Sequence, residues 1–333
     1  MTGHPLLAPD LLDDIAALYH QTSGDLTDLG SFENQVYAFQ TPEGPRVLRL
    51  VHSSHRTERQ VQAELHWLSF LGVQGVDVAA PVADHAGQLL SVWPDGSGGQ
   101  YLATAFVRVP GERLNPVQAT SGQLRAWGRL LADLHNQTQI YRPEDPQGRF
   151  HWHQDPYIEQ RHARAAALPE ALEPGIMERF DRLVERLAAQ PTSPERYGLI
   201  HNDAHPGNVL VEGERLHLFD FDDCTHNFFV NDLAMALYYG LWGVPEEQRE
   251  QVGLRLWTEL LAGYRERRAL PDPADLALVP TLLKLREVEL YVLLLSKWEP
   301  DSRTEGQLRF LRDTRERILY DVPYLHLNFA PTA

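Results

Sequence analysis

The sequence predicts a two-lobed α+β fold: a small lobe built on an antiparallel sheet, then a large, mainly helical lobe. Three observations carry this. The 333 residues exceed the ~150 of a typical single domain. The first third alternates strand and turn signals around one helical stretch, and the rest reads as a series of amphipathic helices. A sharp change of character falls at Pro110-Gly111, so residues 1–107 are assigned to the smaller lobe and 108–333 to the larger.

In chain order, a short helix at about residues 9–20 leads into strands at Leu26–Leu29 and Asn34–Phe39. Thr41-Pro42-Glu43-Gly44-Pro45 is turn chemistry, followed by the apolar strand Val47–Val51. Val61, Leu65, Leu68 and Leu71 share one face of a helix over 55–71. Strands at Gln88–Trp93 and Gln100–Val109 flank a glycine-rich turn and complete the sheet. Helices are then predicted over 122–136, Ile176–Leu187, Glu246–Arg268, Leu276–Trp298 and Gly306–Tyr320. One strand-rich island, residues 198–221, interrupts them.

Composition narrows the function classes. Apolar residues make up 43%, enough for packed cores and too many for a disordered chain. A net charge of −16 argues against a nucleic-acid binder, whose footprint is basic, and is compatible with a cationic substrate. Cys224 is the single cysteine, so no intramolecular disulfide forms, and a reducing, cytoplasmic compartment is expected. The N-terminal stretch carries Asp10, Asp13 and Asp14 among apolar residues and reads as an amphipathic helix, not a signal peptide. No uncharged apolar run approaches membrane-spanning length.

The island reads YGLIHNDAHPGNVLVEGERLHLFDFDDC. Val209–Val211 and Leu216–Phe219 are β-favouring runs joined by Glu212-Gly213-Glu214-Arg215, a hairpin signal. Closing that hairpin brings Asn208 and Asp220 to the same open end. An amide oxygen and a carboxylate there form a hard-oxygen site suited to Mg²⁺. Asp203, just upstream, is a carboxylate able to orient an attacking hydroxyl and accept its proton, and phosphoryl transfer asks little beyond positioning and charge neutralisation. His201 and His205, four apart, offer a competing metal-hydrolase reading, but Pro206-Gly207 breaks the helix that would aim both rings at one ion. Asp222 and Asp223 are expected to cap the next turn or face solvent, with metal or substrate contact as the alternative.

His201-Asn202-Asp203-Ala204-His205-Pro206-Gly207-Asn208 with Asp220-Phe221-Asp222 resembles the catalytic loop and metal motif of the aminoglycoside phosphotransferase and choline kinase superfamily, which has a protein-kinase-like fold. The resemblance implies that Asp203 is the catalytic base, that Asn208 and Asp220 hold Mg²⁺, and that His201 and Asp232 support the loop. It implies ATP as phosphoryl donor and a small hydroxyl-bearing acceptor, such as an aminoglycoside, amino alcohol, homoserine or sugar. A stress-response-type serine/threonine protein kinase and a nucleotide-binding pseudokinase remain the alternatives.

The same resemblance extends to the nucleotide side. Leu29–Tyr37 is similar to the family's phosphate-covering hairpin, with Ser31 near the phosphates. Arg49 is a lone cation in an apolar strand and needs a partner, which Glu64 on the following helix supplies. The family commonly has lysine at this position; arginine keeps the charge with a forked geometry. Ala105–Gly111 is similar to the hinge, where adenine meets backbone groups of Val107 and Val109 with Phe106 behind them. Glu287, Glu289, Tyr291 and Trp152 are candidates for the acceptor side, set against the plainer reading of solvated helix faces and a surface cluster.

Overall fold

The computed structural model describes residues 9–20, 22, 26–30, 34–269 and 273–329. Two compact units divide the chain. The first gathers Met1–Arg113, Ile140–Arg149 and Asn208–Asp223; the second gathers Leu114–Gln139, Phe150–Gly207 and Cys224–Ala333.

In the first unit, Thr41 and Gly44 face each other across the turn between strands Gln35–Thr41 and Gly44–His52. The second of these strands pairs on its other side with Gln100–Val107, so Arg49 lies in the middle of the sheet and not on an edge. Thr27–Asp28 and Pro81–Val82 close the two ends of an antiparallel sheet, and Ser91–Pro94 also pairs with Gln100–Val107. One sheet face is apolar at alternate positions: Tyr37, Phe39, Leu48, Leu50, Tyr101 and Ala103 pack with Ile15 of the first helix, Pro9–Ala17, and with Tyr19 in the turn after it.

Helix Glu58–Val73 begins where Thr57 and Gln60 satisfy each other's backbone donors in a capping box. Val61, Leu65, Leu68 and Leu71 are buried as their spacing predicts, and Glu64 is buried among them.

The island hairpin pairs Val209–Glu212 with Arg215–Leu218, and Glu112–Arg113 adds a third strand alongside Val209–Glu212. Gly111 enters that strand at φ +107°, and a side chain there would meet the Val211 carbonyl oxygen at 2.5 Å. Only glycine fits both demands.

The second unit is helical apart from one antiparallel pair, Tyr197–Ile200 with Thr225–Phe228. Helices Ser121–Ile140 and Glu246–Arg267 cross so closely that a Cβ on Gly128 would overlap the Leu260 carbonyl, and one on Gly263 the Arg125 carbonyl. The helix predicted over Leu276–Trp298 is found at Val279–Lys297, and Leu276 ends a separate short helix, Pro273–Leu276. Pro280 sits in the first turn of the second, where its missing N–H costs nothing and its ring bars continuation from before.

Glu287, an acceptor-side candidate from the sequence, is fully buried and bound by Lys284 at 2.5 Å and Arg317 at 2.6 Å. It belongs to the core. Trp152 is likewise buried, with its ring edge against His153, and is not an exposed wall. Among the described residues, no helix is long and apolar enough to cross a membrane.

Candidate active site

The first unit holds the groups expected for nucleotide and metal. Arg49 directs Nη1 and Nη2 to the two oxygens of Glu64, each at 2.8 Å, with both residues buried. Such a fork is the geometry that repays the desolvation of two charges. Burial would lower the Arg49 pKa, but Glu64 and the carboxylates of Asp222 and Asp220 outweigh it and hold the guanidinium firmly protonated. Its Nη1 is 3.9 Å from Asp220, its guanidinium carbon lies 5.0 Å from the Phe106 ring centre, and its buried Nε has no partner among the described residues.

The hairpin register continues past Leu218 opposite Val209, so Phe219 donates its N–H to the Asn208 carbonyl at 3.1 Å. Asn208 and Asp220 thus share the hairpin's open end. Asn208 is buried, whereas the Asp220 side chain is 48% exposed and its backbone sits at φ +61°, a left-handed conformation costly for a non-glycine residue. Among the described residues, no group of three or more His, Cys, Asp or Glu side chains is arranged to hold a metal. A site of one amide and one carboxylate fits Mg²⁺, which keeps water and phosphate in its other positions. The orphaned Arg49 Nε is an unused buried donor beside this site.

Asp222 does not cap a turn or face solvent. It is buried, takes His55 Nε2 at 2.7 Å, and lies 3.5 Å from Arg56 Nη2. The Asp222 carbonyl also accepts from Arg56 and Arg149, and Arg56 reaches Asp223 at 2.5 Å. Burial alone would raise the Asp222 carboxyl, but Arg56, His55 and Arg49 hold it far below the usual range. These cations fix the chain immediately after Asp220. The ring of Phe221 packs edge-on against Trp67 at 5.4 Å and anchors the same segment from inside.

In the hinge, the Val107 N–H is donated to the Ala80 carbonyl at 2.9 Å, and Phe106 is buried. Ser31 lies outside the described residues.

The second unit holds the residues expected in the catalytic loop. Asp232 accepts the backbone N–H of His201 at 3.1 Å and of Asn202 at 2.7 Å. Behind it, His135 Nε2 is 3.0 Å from Asp232 and Nδ1 is 2.9 Å from the Tyr264 hydroxyl, with His135 and Asp232 both fully buried. Burial lowers the His135 pKa against the pull of Asp232, so the ring is neutral, donating to the carboxylate and accepting from Tyr264. Asn202 is held at φ +68° by Asn227 and Asn231, whose amides both donate to its side-chain oxygen. His201 Nδ1 accepts the N–H of Asp203 at 3.2 Å.

The result is a loop fixed by backbone contacts, with Asp203 presented at its centre. One Asp203 oxygen lies 3.3 Å from His205 Nε2 and the other 3.5 Å from Arg286 Nη2. Burial pushes the Asp203 carboxyl up, but the His205 hydrogen bond and the Arg286 charge prevail and hold it below the usual carboxylate range. His205 Nδ1 meanwhile accepts the Gly207 N–H. The two histidines therefore serve the loop backbone and the aspartate, in place of a common metal ion.

Arg286 is itself pinned. Its Nε donates to the Tyr239 hydroxyl at 2.8 Å, and Nη1 lies 3.4 Å from Glu289. Asn227, His135 and the cations around Asp222 were not assigned to the site from sequence. Asn231 was noted only for its run of neighbours.

A model of the phosphotransferase enzyme family (APH) matches residues 25–270. The chain belongs to that family. It is an enzyme of the kinase class. Amicoumacin kinase of Bacillus subtilis (strain 168) is 28% identical over 323 residues, covering 96% of this chain and 94% of the relative. Stress response kinase A of Escherichia coli (strain K12) is 27% identical over 308 residues, covering 88% of this chain and 84% of the relative. Among solved structures, amicoumacin kinase hAmiN in complex with AMP-PNP, Ca²⁺ and Ami superposes with a TM-score of 0.89 at 27% identity, over 96% of this chain and 95% of that one. A microcompartment-associated aminopropanol kinase shares the fold, with a TM-score of 0.75 at 23% identity over 94% and 98%. The α+β, kinase-like fold class expected from the sequence is the one found, and the use of ATP with a divalent cation agrees with the hAmiN complex.

Proposed function

We propose that this phosphotransferase moves the γ-phosphate of Mg-ATP to a hydroxyl group of a small cationic molecule, with Asp203 as the catalytic base. The observation that carries the reading is an aspartate kept ionised by His205 and Arg286 on a loop fixed by Asp232. A carboxylate held below its usual range is a weak base. A loose phosphoryl-transfer transition state requires little proton removal before the new P–O bond forms, so orienting the hydroxyl is the main task.

Asn208 and Asp220 would hold Mg²⁺, which would supply charge neutralisation for the phosphate groups. The Arg49 guanidinium, 3.9 Å from Asp220, would add positive charge beside them. An adenine edge presents one donor and one acceptor. The Val107 carbonyl and the Val109 N–H match that pair, because the Val107 N–H is committed to Ala80. Phe106, lying under Arg49, closes the base pocket, and Ser31 completes the phosphate contacts. Dependence on ATP in a chain with one buried thiol fits a cytoplasmic enzyme.

The similarity to amicoumacin kinase over nearly the whole chain favours a small-molecule acceptor. Comparable identity to stress response kinase A supports a second reading, a serine/threonine protein kinase. An ATP-consumption panel separates them: amicoumacin, amino alcohols, aminoglycosides, homoserine and sugars against serine- and threonine-containing peptides. Turnover on at least one small cationic acceptor is expected. Turnover on peptides alone would overturn the acceptor class, and nucleotide binding without any transfer would overturn the activity.

A further inference from the structure

Beside Asp203 there is a second carboxylate that the transfer chemistry does not use. Glu289 lies one turn after Arg286 on helix Val279–Lys297, with its side chain 17% exposed. It lines a cavity of about 140 Å³ whose other walls include Tyr157, Phe180, Val292 and Leu293. Among the described residues, Glu289 is the only acid lining that cavity.

We propose that Glu289 selects the acceptor by taking its ammonium group, while the hydroxyl of the same molecule is presented to Asp203. This inference rests on the functional reading above and names the residue that recognises the amine.

The distances fit a short amino alcohol. Arg286 stands between the two carboxylates, 3.5 Å from Asp203 and 3.4 Å from Glu289. With guanidinium nitrogens ~2.3 Å apart, the two acidic oxygens are separated by no more than ~9 Å. A hydroxyl and an ammonium on neighbouring carbons, each making a hydrogen bond of ~2.8 Å at its own end, span ~8–9 Å. The cavity is well below the ~300–1,000 Å³ of drug-sized sites, so it seats the amine-bearing end of an acceptor and not a multi-ring sugar.

The charges fit as well. Arg286 balances one of the two carboxylates, and an incoming cation balances the other. Both Arg286 contacts are long for charge-assisted bonds, whereas its bond to Tyr239 at 2.8 Å is of ordinary length. The tyrosine holds the guanidinium, and its contacts to the two acids are the looser ones. Burial pushes the Glu289 carboxyl up to about 7, with Asp155 adding to the rise and Arg286 opposing it. Arg164, stacked 4.0 Å from the Tyr157 ring centre, is the other charged group in the cavity wall. An ammonium arriving at neutral pH therefore drives Glu289 to its ionised form and expels a proton.

The test compares 1-amino-2-propanol and 2-aminoethanol with 1,2-propanediol and ethylene glycol as acceptors for the intact enzyme with Mg-ATP. Wild type is expected to favour the amines by at least ~10-fold in kcat/KM. In Glu289→Gln that preference should collapse through the KM for the amines, with the KM for ATP unchanged. The same preference in the variant, or a wild-type preference for diols, overturns the proposal while leaving the kinase reading intact. Should the variant not fold, calorimetry of wild type with 1-amino-2-propanol near pH 7, in two buffers of different ionisation heat, decides: proton release supports the proposal, and its absence overturns it. Transfer to no acceptor of any class, despite Mg-ATP binding, instead sinks the functional reading itself.

Discussion

Arg49 and Glu64 meet as a two-pronged pair, 2.8 Å at each prong, in the interior of the first unit. The arginine retains one buried nitrogen, Nε, outside that pair. On the function proposed above the pair has two separable jobs: it neutralises a buried carboxylate, and it places a cation beside the phosphates.

Separating them gives the first prediction. Arg49→Met strands the Glu64 carboxylate and should cost ~3–5 kcal/mol of stability. The double variant Arg49→Met with Glu64→Leu should recover most of that stability in denaturant unfolding, yet still show a KM for ATP raised at least ~10-fold. A double variant with normal ATP use would remove Arg49 from phosphate binding.

Asp222 should be a pH-dependent anchor. Its folded pKa is depressed, so the stability it contributes is present above the unfolded value of ~3.9 and is lost as pH falls toward the folded one. Asp222→Asn leaves His55 and Arg56 facing a neutral amide and should destabilise by ~2–4 kcal/mol at pH 7. Unfolding curves of variant and wild type should converge in strong acid, and a gap that stays constant with pH would contradict the ion-pair account.

Glu289 carries the opposite sign. Its pKa is raised to about 7, so the folded state binds the extra proton between the unfolded value of ~4.5 and 7. The wild type loses stability as pH climbs through that window and pays the full penalty, at most ~3 kcal/mol, above it. Glu289→Gln should therefore raise the melting temperature at pH 8 and leave it nearly unchanged near pH 4. The reverse order would show that the carboxyl is not held neutral by burial.

Gly111→Ala should cost ~1–3 kcal/mol, because the new methyl must adopt φ +107° and also displace the Val211 carbonyl. Melting measured with and without Mg-ATP would check whether the loss reaches the hairpin that carries Asn208 and Asp220.

Local signals made much of this legible in the sequence. A Glu-Gly-Glu-Arg turn between two apolar runs fixed the hairpin's partners, and so placed Asn208 and Asp220 at one end. A lone cation in an apolar strand called for an acid on the next helix, and Glu64 lies at the right turn of it. What escaped depends on contacts between distant residues. His55 and Arg56 reach Asp222 across 167 and 166 positions, and nothing near Asp222 in the chain signals that it is buried. Glu287 and Glu289 look alike on a helix read in isolation. Tertiary packing gives one to Lys284 and Arg317 in the core and leaves the other lining a cavity. His135 lies 97 residues from Asp232, and its pairing becomes visible only once helix Ser121–Ile140 is packed in its unit.

The most direct test of the account is phosphate transfer by Asp203→Ala, measured in a single turnover with Mg-ATP and an acceptor that wild type uses, beside nucleotide affinity from ligand-induced thermal stabilisation. Transfer should fall by at least ~10²-fold, with the Mg-ATP stabilisation retained. Transfer at the wild-type rate in a variant that binds Mg-ATP normally would contradict the assignment of Asp203 as the base.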